Sequence, residues 1–218
     1  QLVREVENFS YTLPPFVRFA NFEGRKLNLN YIRKEFLWYL RGDRFDTSIV
    51  EHAQMWRGLV NSDGSINSNY GQYIFGADQD QFGRCARLLI EDKDTRRANI
   101  VILNNEHLNS ETSDVPCTYS IGFRIREDML NMTVRMRSQD AIYGMGNDAP
   151  MFSFVHEMML NTLRTTYPNL GYGEYYHSAD SFHVYEKHFQ MLQDILGRGE
   201  MLSNRGRLDG YSMVLCPA

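Results

Sequence analysis

Residues 118–138 read TYSIGFRIREDMLNMTVRMRS, the clearest structural pattern in this chain of 218 residues. In residues 119–126 and again in residues 130–137, every second residue is apolar and the residues between are small or polar. Alternation with a period of two is typical of strands that bury one face. Because the two runs are joined by Glu127 and Asp128, the segment predicts a β-hairpin.

The flanking sequence predicts helices and further strands. Apolar residues at helical spacing predict helices over residues 31–40, 49–60, 79–91, 151–166 and 188–196. Short buried or β-prone runs predict strands over residues 98–103 and 173–185. The first 25 or so residues give no clear assignment. We therefore expect one α+β domain over residues 1–218, with helices packed on one sheet.

Composition narrows the class of protein. Apolar residues make up 43% and charged residues 23%, as in globular proteins, and the net charge of −4 argues against a basic nucleic-acid-binding surface. No apolar run approaches the length of a membrane-spanning helix, and the N-terminus lacks a signal-peptide pattern. Cys85, Cys117 and Cys216 are widely spaced, which favours reduced thiols in a cytoplasmic protein over disulfides or a metal site.

Cys117 follows Pro116 and directly precedes the first strand of the predicted hairpin. A lone cysteine is most often a small buried apolar residue. It acts as a nucleophile where nearby positive charge lowers the pKa of its thiol. Arg137 lies on the antiparallel strand and could supply that charge, or it could be a solvated strand arginine. Cys117 is therefore a candidate nucleophile.

Arg96 and Arg97 are adjacent arginines before a buried strand. The planar guanidinium group makes paired hydrogen bonds to phosphate. Neighbouring strand residues point to opposite faces, so both side chains can reach one phosphate only where the backbone is irregular. The alternative is a solvated loop.

His183 and Tyr185 lie two residues apart, on one face of an extended segment, where both could bind a sugar hydroxyl. The alternative is a half-buried strand with satisfied polar tips. His183 and His188 lack matching carboxylates or cysteines, so we predict no metal site.

Glu35 lies in the predicted helix 31–40, where helical geometry brings it near Tyr31 and Tyr39. A carboxyl group in such surroundings can have a raised pKa and move protons. A solvated helix glutamate is the more common case.

In order and spacing, these motifs resemble the thymidylate synthase superfamily from about residue 34 to about residue 189. The superfamily has a glutamate-bearing helix, a double-arginine segment, a Pro-Cys nucleophile, an Arg-Ser-x-Asp-x-x-x-Gly signature and a His-x-Tyr-x-x-His stretch. The matching segments here are KEFLWYLRGD (34–43), TRRANIV (95–101), Pro116-Cys117, RSQDAIYG (137–144) and HVYEKH (183–188).

Further features resemble one branch, the deoxycytidylate hydroxymethylases of phages. Thymidylate synthases carry an asparagine eleven residues after the signature arginine, and this chain has Asp148 there, preceded by Asn147. The segments MRS (136–138) and INSNYG (66–71) also resemble that branch, and Thr118 follows the cysteine where synthases usually have histidine.

The difference between cytosine and uracil gives a physical reason for aspartate at position 148. Uracil presents a carbonyl oxygen and an N3 hydrogen, which an amide matches with one donor and one acceptor. Cytosine presents an amino group, and a carboxylate accepts a hydrogen bond from it readily. A buried carboxylate that faces O4 of uracil would be unpaired, so Asp148 predicts rejection of uracil.

The resemblance implies a thymidylate-synthase-like α+β fold with a central mixed sheet, packed helices and a homodimer formed through the sheet face. It implies transfer of a one-carbon unit from 5,10-methylenetetrahydrofolate to C5 of dCMP, with hydration to the 5-hydroxymethyl product and no metal ion. A methylating enzyme that acts on dUMP or dCMP, a CMP hydroxymethylase and a non-catalytic nucleotide- or mRNA-binding relative stay open. The set of Cys117, Glu35 and Arg137 argues against the last.

The resemblance also implies roles at the matched positions. Cys117 would be the nucleophile, Glu35 would order water and move protons, and Asp148 would read the base. The implied substrate-binding residues are Arg96, Arg97, Arg137, Ser138, His183, Tyr185 and Tyr70, and the implied folate-binding residues are Trp56, Asp140 and Gly144. In this family the two adjacent arginines come from the partner subunit, and a further phosphate-binding residue upstream of the glutamate helix has no assigned counterpart here.

Overall fold

The computed structural model describes residues 2–15, 17–18, 25, 27–108, 112 and 114–197. Cys216 lies outside these ranges. The described elements, in chain order, are β1 (Val3–Leu13), α1 (Leu29–Leu40), two 3₁₀ helices (Ser48–Glu51 and Gln54–Leu59), α2 (Gly71–Ile74), α3 (Gln81–Glu91), β2 (Asn99–Val101), α4 (Asn105–Leu108), β3 (Thr118–Arg126), β4 (Met129–Asp140), α5 (Gly144–Leu163), β5 (Gly171–Tyr185), a third 3₁₀ helix (Glu186–His188) and α6 (Phe189–Gly197).

The five strands form one mixed sheet in the order β1-β5-β4-β3-β2. Neighbouring strands are antiparallel except β4 and β5, which are parallel. Because a parallel pair needs a long crossover, the chain passes through helix α5 between β4 and β5. This arrangement confirms the expected mixed sheet with packed helices.

The hairpin of β3 and β4 is confirmed, with Ile125 paired to Leu130 and Arg126 paired to Met129. Its two turn residues, Glu127 and Asp128, have φ angles of 51° and 58°. Two consecutive left-handed residues form the turn that matches the twist of a two-residue hairpin. Apart from Tyr119, the alternating apolar side chains of both strands are buried in the core with the large apolar residues of α5.

Two sequence assignments need correction. Residues 49–60 form no single helix, because Ala53 is extended, with φ −151° and ψ 111°, and separates two 3₁₀ helices. Helix α5 starts at Gly144 rather than Met151 and holds Pro150 within it. Strand β1 was not assigned from sequence because most of its side chains are exposed, so it lacks a continuous apolar face.

Gly71 marks a close approach between helices α1 and α2. A Cβ atom at this position would lie 2.0 Å from the backbone oxygen of Tyr39 and 2.5 Å from its Cα atom. Backbone atoms cannot move aside as a flexible side chain can, so only glycine fits at position 71 against the backbone of α1.

We therefore expect Gly71→Ala to destabilise the protein by about 1–3 kcal/mol or more, as overpacking of a dense core does. Gly58→Ala is the matched control, since a Cβ atom there meets nothing within 4 Å. Urea unfolding of both variants measures the difference. Equal stability of the two variants would contradict the close approach.

Candidate functional site

Most of the residues predicted for a site line one cleft of about 440 Å³. The predicted residues that line it are Cys117, Glu35, Asp148, Ser138, His183, Tyr185, Tyr70, Trp56, Asp140 and Gly144. Arg96, Arg97 and Arg137 are not among its lining residues. Segments far apart in sequence therefore meet around a single opening.

The sheet register brings the polar residues to one end of the strands. Because β4 and β5 are parallel, their carboxyl ends lie together, and Asp140 pairs with His183. Strand β3 runs the other way, so Cys117, directly before it, reaches the same end. The backbone nitrogen of Arg137 donates to the Cys117 carbonyl over 2.8 Å.

The Cys117 thiol lies half-buried between opposing charges. Burial raises its pKa, the guanidinium of Arg137 lowers it, and Asp148 and Asp114 raise it further. Arg137 donates from Nε to the Pro116 carbonyl over 3.0 Å and from Nη2 to the Val115 carbonyl over 2.7 Å. The arginine thus fixes the segment that carries the cysteine as well as supplying positive charge.

Glu35 is buried in helix α1 and faces the cleft. The Tyr39 hydroxyl donates to its Oε1 over 3.3 Å, and the Trp56 indole donates to the Tyr31 hydroxyl over 2.8 Å. Burial, followed by the nearby Asp148 carboxyl, raises the pKa of Glu35 to about 8. Such a group can hold or release a proton near neutral pH.

Asp148 is enclosed at the start of helix α5, where the Gln139 side-chain amide donates to its Oδ2 over 3.3 Å. Burial raises the pKa of Asp148 to about 7, and Asp140 raises it as well. The Gln139 hydrogen bond and the Arg25 charge act in the opposite direction. Glu35 and Asp148 therefore form a coupled pair of acids in one cleft.

Arg25 is a buried residue of this region that sequence reasoning missed. Its Nη2 donates to Asn147 Oδ1 over 3.3 Å and to the Tyr143 carbonyl over 3.4 Å. A Cβ atom on Gly146 would lie 2.2 Å from the guanidinium carbon, so glycine makes room for it. An isolated arginine in a segment without a pattern gave no signal that could have found it.

The remaining cleft residues described here are of two kinds. The rings of His183 and Tyr185 meet edge-on, with centroids 4.8 Å apart, and Tyr70 interacts with Cys117. The second kind is largely apolar and aromatic, apart from one carboxylate. It consists of Met55, Trp56, Leu59, Tyr143, Gly144 and Asp140.

Arg96 and Arg97 are exposed and lie where the backbone is irregular, just before β2. They do not line the cleft of their own chain. Because the backbone is irregular here, both side chains can reach one phosphate. Their placement in a partner's site stays a prediction.

Within the described ranges, no cluster of three or more histidine, cysteine or acidic residues could hold a metal ion. In the same part of the chain, no helix combines the length and the apolar character that crossing a membrane requires.

The chain matches known proteins over most of its length. The family model described as Thymidylate synthase matches residues 15–209. The Deoxycytidylate 5-hydroxymethyltransferase of Enterobacteria phage T6 is 30% identical over 182 residues, which cover 80% of this chain and 74% of that protein. The phage T4 protein of the same name matches to the same extent.

A second group of relatives bears a different substrate in its name. The Deoxyuridylate hydroxymethyltransferase of Bacillus phage SP01 is 30% identical over 187 residues, or 78% of this chain and 47% of that protein. Relatives named for cytosine and for uracil nucleotides are thus equally identical, and sequence identity does not choose between the two bases.

The raised pKa of Glu35 has a consequence for stability. The folded protein holds a proton that the unfolded chain releases, so this contribution to stability is fully present below the ordinary glutamate pKa. It is lost as the pH rises through about 8. Glu35→Gln cannot ionise, so it should gain stability relative to the wild type between about pH 5 and pH 8.5, by on the order of a few kcal/mol.

Urea unfolding of both proteins at the two pH values measures this gain. Glu51→Gln is the control for loss of an exposed carboxylate. A difference between wild type and Glu35→Gln that does not change with pH would contradict the buried, protonated state of Glu35.

Proposed function

This chain belongs to the thymidylate synthase family, and from that premise we propose that it is a deoxycytidylate hydroxymethyltransferase. The family and the named relatives make it a transferase that acts on a pyrimidine nucleotide. The proposed reaction transfers a one-carbon unit from 5,10-methylenetetrahydrofolate to C5 of dCMP and adds water, giving 5-hydroxymethyl-dCMP and tetrahydrofolate.

One observation carries the proposal: Cys117, Glu35 and Asp148 open onto the same cleft. A thiol that adds to C6 and a carboxyl group that holds the base edge must reach one pyrimidine ring together. Asp148 and Cys117 also affect each other electrostatically, since the aspartate raises the pKa of the thiol. Separate cavities for the two side chains would have ruled the reaction out.

Asp148 supports cytosine as the base. With a pKa of about 7, this carboxyl group can donate a proton to N3 and accept a hydrogen bond from the 4-amino group. Protonation at N3 would stabilise the negative charge that enters the ring when a nucleophile adds to C6. Relatives named for deoxyuridylate make uracil the nearest competing base.

Each further role is proposed from position and chemistry. The Cys117 sulfur adds to C6, which makes C5 a carbon nucleophile. Burial raises the pKa of the thiol, and Arg137 opposes that rise for this step. Glu35, with its pKa near 8, takes up and returns protons and orders the water that hydrates the exocyclic methylene group. His183 and Tyr185 hold the sugar, Ser138 and Arg137 hold the phosphate, and Tyr70 supports the cysteine.

We assign the apolar and aromatic lining residues of the cleft, with Gly144 and Asp140, to the folate and call this group the folate wall. Trp56 and Tyr143 offer aromatic faces against which a pteridine can stack, and Asp140 offers a carboxylate for its ring N–H groups. Gly144 leaves the wall open beside Asp140. The folate supplies the one-carbon unit, and these residues would hold it so that water, rather than hydride, reaches the methylene group.

We further propose a homodimer through the exposed sheet face, in which Arg96 and Arg97 bind phosphate in the partner's cleft. Both side chains are exposed in the described chain and do not line their own cleft. Two of the Arg137 nitrogens are already hydrogen-bonded to carbonyl groups, so binding of a phosphate dianion requires further cations.

We also propose that the protein acts in the cytoplasm, because a cysteine nucleophile must stay reduced.

Mass analysis of the product tests the reaction. With dCMP and methylenetetrahydrofolate we expect 5-hydroxymethyl-dCMP and tetrahydrofolate, with no rise in dihydrofolate absorbance. Cys117→Ser should lower the rate by at least about a hundredfold, because the oxygen is a far weaker nucleophile than the thiolate.

The other outcomes identify the alternatives. Formation of dihydrofolate together with a methylated product would replace hydration by hydride transfer. Faster turnover of dUMP than of dCMP would make the protein a deoxyuridylate enzyme, and faster turnover of CMP would make it a ribonucleotide enzyme.

Complementation tests the shared site. Cys117→Ser and Arg97→Ala should each be nearly inactive, and a mixed dimer of the two would contain one site with both defects and one intact site. We expect up to about a quarter of wild-type activity after the variants are mixed, unfolded and refolded together. Failure to recover activity, with dimers present by size-exclusion chromatography, would contradict the shared site.

A further inference from the structure

Gln139 is a buried residue of the cleft that no motif singled out. It lies next to the last residue of β4, and its Nε2 donates to Oδ2 of Asp148 over 3.3 Å. Among the side chains that the structure describes, it is the one found donating a hydrogen bond to this carboxyl group.

A protonated carboxyl group does not by itself discriminate between cytosine and uracil. With the proton on the oxygen near N3, it donates to N3 of cytosine and accepts from the 4-amino group. With the proton on the other oxygen, it accepts from N3–H of uracil and donates to O4. Discrimination therefore depends on which of the two oxygens carries the proton.

The Gln139 amide removes this freedom. An oxygen that accepts a hydrogen bond from an N–H group keeps a lone pair for it and is disfavoured as the site of the proton. Oδ2 is thus held as an acceptor, and the proton of the neutral acid goes to Oδ1. The amide also opposes the rise in the Asp148 pKa that burial produces.

The position of Oδ2 identifies the ring edge that it faces. Oδ2 lies 3.7 Å from where a Cβ atom of Gly144 would be, on the side of Asp140. In the proposed function these two residues belong to the folate wall, which C5 of the base must face. The 4-amino group is next to C5 and N3 is farther away, so Oδ2 lies towards the amino group.

From these observations we propose that Gln139 is a specificity-determining positioning residue that makes Asp148 read cytosine and reject uracil. It fixes Oδ2 as the acceptor for the amino group and Oδ1 as the donor to N3. Uracil in the same pose would set O4 against an acceptor and N3–H against a donor. This inference rests on the proposed function, which it deepens.

The test compares Gln139→Met, which is similar in length and cannot donate, with the wild type. Binding of dCMP and dUMP is measured by calorimetry without folate. We expect the dCMP preference to fall about tenfold or more, with dUMP bound more tightly, as loss of a hydrogen-bond match at a base edge predicts. The pKa of Asp148 should rise, which shifts the pH dependence of dCMP binding upwards.

Two further variants isolate the effect. Gln72→Met also deletes a part-buried amide that bonds to carbonyl groups, but it lies outside the cleft. It should lower stability without altering the ratio of the two affinities. Gln139→Leu lacks the amide in a side chain of different shape, so it tests the same proposal with different packing and should lower the dCMP preference in the same direction.

Base preference unchanged within about twofold in both Gln139→Met and Gln139→Leu would overturn the inference, and so would an unchanged preference in Asp148→Asn. The affinities are independent of turnover. A wild type that binds dCMP better than dUMP but forms no 5-hydroxymethyl-dCMP would overturn the proposed reaction, while the affinity ratios would still decide the role of Gln139.

Discussion

The parallel pairing of β4 with β5 is the constraint on which the cleft depends. Backbone hydrogen bonds in this register set Asp140 beside His183, so the polar ends of both strands face one opening. A parallel connection cannot be a tight turn, and the crossover through α5 carries Asp148 back over the same strand ends. The hairpin then adds Cys117 on the other side of β4. The site is thus a product of sheet topology more than of any one motif.

This topology concentrates acids where few cations can reach them. Glu35 is buried and Asp148 is half-buried, and each carboxyl group is disfavoured as an anion by the loss of water. Arg25 opposes this effect at Asp148. The pKa values of these two carboxyl groups are thus moved towards neutrality, as proton-transferring sites require. Burial also raises the pKa of the Cys117 thiol, and Arg137 opposes that rise. A site that must protonate and deprotonate one ring needs such a balance rather than strongly ionised groups.

The parts predicted from sequence are those with local causes. The hairpin follows from a period of two around Glu127 and Asp128, and the pairing of Glu35 with Tyr39 follows from helical spacing. Strand β1 has mainly exposed side chains, so only its pairing with β5 defines it, and that pairing is a long-range event. Arg25 escaped prediction for the same reason, because its partners lie more than a hundred residues away.

The choice between cytosine and uracil cannot be decided by resemblance to relatives alone. Relatives named for deoxycytidylate and for deoxyuridylate are equally identical to this chain, so percentage identity does not distinguish the two bases. The residue type at position 148 narrows the choice, yet a neutral carboxyl group can match either base according to the location of its proton. Among the described residues, the hydrogen bond from Gln139 to Oδ2 is the contact that distinguishes the two oxygens in our proposal. Specificity in such a site therefore depends on the second hydrogen bond of the base-reading group as much as on its identity.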